Sequence, residues 1–407
     1  MRLWTAAGIS AAGNQVTFLA LPLTAILVLR ASAFEVAAIS TAVTLPNLLG
    51  IAAGVWLDRV RRRRVMIAAD FGRAAVLASV PVAYVFGLVD LKQLYVVALM
   101  SGTLNVFFEI ASQAYLPSIV GREQLVQANA KLQGLTVAAE SAGPSIAGTL
   151  VTLVSAPVAI LADAVSFLVS GLLIGSISKD YEPPREPSPR ATTRGSELRE
   201  GARYVFSEPH LRPLLLSHSL ANLALGLLWA NLLVYAVRML GLSAAMIGAI
   251  FSFANIGGFA GAVFARRIAE RVGVGQTVIT SFFLFGPAAL LLATATTESA
   301  VVFVGLGWTL QSFARSLYGV SATSVRQALV PDRLQARVSG VTATTGTSAF
   351  PLGTLVGGAL AAAFGVREAM LIAATVSFLP FLPVVVSRVR SLREIPDPRH
   401  VIDQVVD

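Results

Sequence analysis

Long apolar runs separated by short charged stretches leave this chain few ways to fold. A run of about 20 apolar residues, wound as a helix, matches the hydrocarbon thickness of a bilayer. Within lipid a helix satisfies its own backbone hydrogen bonds, which an open strand cannot do. Twelve such runs can be read, at roughly 4–29, 34–57, 65–88, 93–115, 126–154, 157–177, 211–237, 243–265, 275–295, 299–320, 338–363 and 368–387. The apolar part of the first is too long for a signal peptide, and eleven more spans follow it. Charged residues make up 13% of the chain, about half of what a soluble protein carries.

The formal charge of +9 would suggest nucleic acid as a partner in a soluble chain. Here the basic residues sit in the loops, and membrane topology accounts for them, so no nucleic acid is expected. With the N-terminus in the cytoplasm and the spans alternating, external loops hold only Arg30, Lys92, Arg238 and Arg367. The other Lys and Arg residues fall on the cytoplasmic side, as the positive-inside rule requires. Both termini are thus expected in the cytoplasm, in the inner membrane of a bacterium. With no cysteine, the chain has neither disulfide nor thiolate metal site. His210, His218 and His400 are scattered, and none of Lys92, Lys131 and Lys179 follows a glycine, so no phosphate-binding loop is present. No cofactor, metal or enzymatic site is expected.

The longest polar stretch, 178–210, contains Pro183, Pro184, Pro187, Pro189 and Pro209. It reads as a linker between a six-helix bundle at 1–177 and a second at 211–390, with a tail at 391–407. Within it, Glu197–Phe206 puts Leu198, Ala202 and Val205 on one helical face, a short helix for the inner membrane surface. The halves repeat. Gly50-x-x-x-Gly54 reappears 207 residues later as Gly257-x-x-x-Gly261, Arg59 as Arg266, and Pro144 as Pro351. Small residues let helices approach closely and proline bends them. Several matches at one offset imply duplicated halves, a known transporter architecture.

Between spans 2 and 3 stands Gly54-x-x-x-Asp58-Arg59-x-Arg61-Arg62-Arg63-Arg64. It resembles the G-x-x-x-D-R-x-G-R-R loop signature of the major facilitator superfamily, with Arg61 in place of the glycine. The resemblance implies that Asp58 and Arg59, with Gly54 and Arg62, lock the cytoplasmic face. Asp70 and Arg73, one turn apart, join that charge network, and Arg266 answers for the second half, where Ala265 stands at the position of Asp58. Span 5 carries Gly143-Pro144 and Gly148, similar to the Gly-Pro motif of the antiporter branches, a bend that Pro351 repeats. With Phe107-Phe108-Glu109, Ala128-Asn129, Gln133 and the Asp163-to-Phe167 stretch, the first half resembles the drug–proton antiporter branch of the macrolide-efflux and enterobactin-exporter type.

Acids inside spans are costly in lipid and therefore mark mechanism. Glu109, Glu140 and Asp163 are the proton-coupling candidates. Asn105, Glu109 and Gln113 share one helix face, as do Asn129, Gln133, Thr136 and Glu140. Little fixed positive charge lies at the depth of Glu140, so its burial would let it cycle between protonated and charged forms. Asp163 also has a structural reading, because Ser166 lies one turn away. Arg315 in span 10 is either a partner for Glu109 or a snorkelling cation. Asn14 and Phe18, Asn222, Trp229, Asn231 and Tyr235, and Asn255 are candidate cavity residues. Aromatic and amide groups with few fixed charges suit an amphipathic, partly apolar substrate.

The reading is a monomeric, proton-driven exporter of amphipathic small molecules of drug, antibiotic or siderophore type, working by alternating access. A metabolite uptake carrier is the alternative, for which paired cavity arginines would be expected. A membrane sensor without transport is another, for which a large soluble domain would be expected.

Overall fold

The structure, a computed structural model, describes residues 2–57, 59–120, 124–177 and 194–394. Asp58, the proline-rich part of the linker and the tail beyond 394 lie outside them. The described residues contain helices and no strand. Ten helices among them are long and apolar enough to cross a membrane.

Two compact units form, one from Met1–Ser188 with Leu233–Ser252, the other from Pro189–Leu232 with Phe253–Asp407. In the first, α1 (Arg2–Leu27) packs on α6 (Leu125–Val154) and α7 (Ala156–Gly175). The run at 34–57 is not one helix. It comprises α2 (Ala33–Thr44), a 3-10 turn at Leu45–Leu49 that contains Pro46, and α3 (Gly50–Leu57). A proline ring denies the helix a donor and clashes with the preceding turn, which accounts for the break. α4 (Arg62–Val85) lies between α5 (Leu91–Ile119) and α7, and α2 and α3 pack on α5. Starts are capped as their sequences dictate. Ser32 and Glu35 close a capping box on α2, and Asp90 accepts from the Gln93 amide at 2.7 Å on α5.

The chain continues through α8 (Arg194–Ser207) and α9 (Leu211–Val234), which runs into a π-helical turn, Tyr235–Met239, in the segment that belongs to the first unit. Next come α10 (Ala244–Val272), α11 (Val274–Ala293), α12 (Ala300–Leu329), α13 (Asp332–Phe364), α14 (Val366–Val376) and the short α15 (Leu382–Val385). The segment 197–206 lies within α8, and its Ala202 and Val205 pack on protein. Val205 is buried in the core with Leu329, Val338 and Phe282, and the Tyr204 hydroxyl donates to the Leu329 carbonyl at 2.8 Å.

The repeated glycines serve different ends. Side chains at Gly257 or Gly261 would strike the Thr309 and Phe313 carbonyls of α12, so α10 and α12 touch there backbone to backbone. Around Gly50 and Gly54 the space is open. Gly148 approaches the Ala244 carbonyl and Gly248 the Pro144 carbonyl, which seats the start of α10 on α6. The same seam carries bonds from the Ser145 amide to Ser252 Oγ, 3.0 Å, and from the Ala245 amide to Thr152 Oγ1, 3.2 Å. Arg238, in the π turn, donates to the carbonyls of Ala31 (2.7 Å) and Ile26 (3.3 Å), capping the C-terminal end of α1.

A buried charge cluster and the candidate transport site

α4 sets Asp70 and Arg73 one turn apart, and both are buried, at 0% and 2% exposure. Arg73 Nη2 donates to Asp70 Oδ1 at 2.8 Å, and Ser170 Oγ of α7 donates to Asp70 Oδ2 at 2.6 Å. Arg73 Nη1 donates to Asn105 Oδ1 of α5 at 2.8 Å, and Asn105 passes the chain on through Nδ2 to Glu109 Oε1 at 3.2 Å. The guanidinium lies 3.8 Å from the ring centroid of Phe167 and 4.8 Å from that of Phe108. A buried arginine needs such a cage of acceptors and aromatic faces.

Asp163 sits one turn before Phe167 on α7 and is wholly buried. Its Oδ1 accepts from Ser166 Oγ at 3.0 Å. α1 presses against it at Gly13, where a Cβ would collide with Ser166 Oγ and Asp163 Oδ1. The Thr17 hydroxyl of α1 also bonds the Asp163 carboxyl, and Arg73 Nε is buried without a hydrogen-bond partner among the described residues. Asp70, Asp163 and Glu109 all act electrostatically on Arg73.

Residues that the sequence distributes among three roles are thus one cluster. Asp70 and Arg73 belong with Asp163, Asn105 and Glu109, three layers of helix deep rather than out in the loop. Ser170 and Phe167 are additions. Ser166, Phe167 and Ser170 stand three, four and seven residues after Asp163, so one face of an apolar span carries them all, and that spacing could have found them. Glu140 is exposed on α6, whereas Asp163 is buried.

Exposed groups of the first unit gather on three neighbouring helices. Asn14 and Phe18 protrude from α1, Glu109 and Gln113 from α5, Gln133 and Glu140 from α6, and these helices pack on one another. Trp229 and Asn231 of the second unit are buried, as is Tyr235 of the first. Asn231 is not a wall residue. Its Nδ2 bridges the Leu227 and Gly357 carbonyls at 3.1 and 3.0 Å, joining α9 to α13 where Gly226, Gly353 and Gly357 let them meet. Trp229 lies 5.7 Å from Trp308. Asn222 Nδ2 lies 3.2 Å from Nε2 of His218, whose ring stacks on Tyr318 at 5.5 Å. Asn255 is half-buried on α10 and Arg315 exposed on α12. Pro144 and Pro351 lie inside α6 and α13, and Gly143 abuts Gln15.

The basic loop is divided in use. Arg59, Arg61 and Arg64 are exposed. Arg62 donates to the Ala114 carbonyl of α5, and Arg63 caps the end of α7 through the carbonyls of Ile174 (3.2 Å) and Gly175 (2.6 Å). Arg266 is exposed and bonded to Glu270 at 2.7 Å.

The profile of a family described as transmembrane secretion effectors, of major facilitator type, matches residues 1–404. The chain belongs to that family. It has relatives that span nearly the same length. It is 28% identical over 373 residues to the multidrug efflux pump Tap of Mycolicibacterium fortuitum, covering 88% of each chain. It is 26% identical to the major facilitator-type transporter YfiS of Bacillus subtilis, over 91% of its own length and 89% of the relative's. In fold it matches a bacterial homologue of the iron transporter ferroportin, with a TM-score of 0.76 at 18% identity over 94% and 97% of the two chains. The chain is therefore a multi-pass membrane transporter and not an enzyme.

Proposed function

We propose that this transporter is a proton-coupled exporter of amphipathic small molecules, moving them out of the bacterial cytoplasm or inner leaflet. On this reading both termini are cytoplasmic, the chain works as a monomer, and twelve spans form two six-helix bundles that alternate access. The observation that carries the proposal is the cluster around Arg73. Two fully buried carboxylates, Asp70 and Asp163, share one buried guanidinium. Low-dielectric surroundings penalise an unbalanced charge by several kcal/mol, and the cluster balances when one carboxyl holds a proton.

Asp70 is ion-paired directly with Arg73 and bonded by Ser170, whereas the hydroxyls beside Asp163 are those of Ser166 and Thr17, so Asp163 is assigned the proton. Arg73 links this event through Asn105 to Glu109, which stands at the exposed wall with Gln113, Gln133 and Glu140. A wall of carboxylates, amides and Phe18 favours amphipathic cations, and the multidrug efflux pump among the relatives supports that class. Proton arrival at Asp163 lowers the negative charge that holds the substrate and favours its release; loss of the proton inside restores the site.

The test is reconstitution in liposomes, with ethidium as the amphipathic cation and a pH-sensitive dye inside. Asp163→Asn is expected to cut substrate-dependent proton movement at least about tenfold while downhill substrate exchange persists. Glu140→Gln is expected to keep coupling. Wild-type coupling in folded Asp163→Asn protein would overturn the assignment, and counterflow of a sugar or organic acid in place of ethidium would favour uptake instead.

A further inference from the structure

Two grooves lie apart from the charge cluster, one in each unit. In the first, α4 and α5 form an apolar floor with Val65, Ala68, Leu104 and Phe107, and the space measures about 680 Å³. Trp56 closes one side, its ring edge-on to Phe107 at 5.4 Å. The rim is basic: Arg59, Arg61 and Arg64, all exposed. The second groove, about 410 Å³, has Phe264, Ile268 and Phe313 as its floor and Arg267 and Arg271 as its rim. The Arg267 guanidinium lies 6.0 Å from the Phe264 ring centroid. No acidic residue lines either groove among the described residues. The one nearby carboxylate on α10, Glu270, is taken by Arg266.

Three lining positions of the two grooves coincide at the repeat offset, and arginine stands in both grooves at one of them, Arg64 and Arg271. Val60, Arg61 and Arg64 of the first stand 207 residues before Arg267, Ile268 and Arg271 of the second, the offset that also relates the repeated glycines and prolines. Each has an apolar trough and an arginine rim. Both lie at helix ends, where α3 stops at Leu57, α4 starts at Arg62 and α10 stops at Val272, so the rim falls at headgroup depth and the floor in the hydrocarbon.

We propose that both grooves bind anionic phospholipid, with an acyl chain on the apolar floor and the phosphate held by the arginine rim. Arginine forks bind phosphate oxygens in pairs, and basic pockets at the ends of membrane helices suit anionic headgroups. The rim charge repels the amphipathic cations proposed as cargo, so these are not further cargo sites. A free phosphate would satisfy the rim and leave the floor exposed.

Native mass spectrometry and thermal shift on the full-length protein in neutral detergent test this. Dioleoyl phosphatidylglycerol is expected to add two tight binding events per chain and to raise the melting temperature. Arg61→Gln with Arg64→Gln should weaken one event about 25-fold, and Arg267→Gln with Arg271→Gln the other by as much, each arginine contributing about fivefold. The idea fails if dioleoyl phosphatidylcholine binds equally, if glycerophosphate alone reproduces the shift, or if folded double variants keep both events at full strength.

Discussion

A guanidinium inside a helix bundle is tolerated when acceptors and aromatic faces meet most of its surface, and Arg73 shows how little of that a local sequence displays. The bond to Asp70 is legible, because residues three apart share a helix face. Its other partners, Asn105 on α5 and Phe167 on α7, are distant in sequence, and no periodicity announces them. Glu208 presents the same contrast outside the membrane. Burial alone would push its carboxyl up, but bonds from the His210 ring and amide, with the charges of His210 and Arg388, hold it below the ordinary value. A depressed folded value gives stability that is full above the unfolded value of 4.5 and is lost as pH falls through the lower folded one. Glu208→Gln is therefore expected to lower stability by about 0.5–1 kcal/mol at neutral pH. Thermal melts should show the gap to wild type closing as the medium is made acidic; a gap that stays constant with pH would contradict the linkage.

At the scale of elements, hydrophobic run length places most helices to within a few residues, since lipid imposes one length on all of them. What it misses are interruptions. Pro46 marks the break in the run 34–57, yet Pro22, Pro81 and Pro287 sit inside continuous helices, and neighbouring helices decide which proline breaks its host. Glycine spacing is ambiguous in the same way. Gly54 and Gly261 are equivalent by the repeat, but Gly54 faces open space and Gly261 the Phe313 carbonyl. Gly54→Ala is expected to be neutral or to stabilise by about 0.5–1 kcal/mol, as alanine replaces glycine in a helix. Gly261→Ala should destabilise by about 1–3 kcal/mol through overpacking. Melting curves of the two variants decide the matter, and a gate role for Gly54 would show separately, as lost transport in a protein that melts no lower.

For the whole molecule, duplication and the alternation of charge were both open to reading because they are one-dimensional properties. The way Leu233–Ser252 joins the first unit was not, since it rests on Arg238 reaching the carbonyls of Ile26 and Ala31 and on two glycines meeting backbone. The chain has no cysteine, which makes orientation directly measurable. A single cysteine in place of Ser32 is expected to react with a membrane-impermeant maleimide added to intact spheroplasts. One in place of Ser391 should react only after the membrane is opened. The reverse pattern would invert the topology and the direction of transport with it.

The arginine run after Leu57 has a consequence for how such a chain can change over time. Arg62 and Arg63 grip the carbonyls of α5 and α7, while Arg61 and Arg64 face outward. Replacing all four by lysine would leave the electrostatic address that guides insertion as strong as before, yet a lysine carries one compact point charge where arginine offers a fork. Insertion and consolidation of the finished bundle therefore answer to different members of a single run. Drift at the inward pair can loosen the helices without turning the protein over.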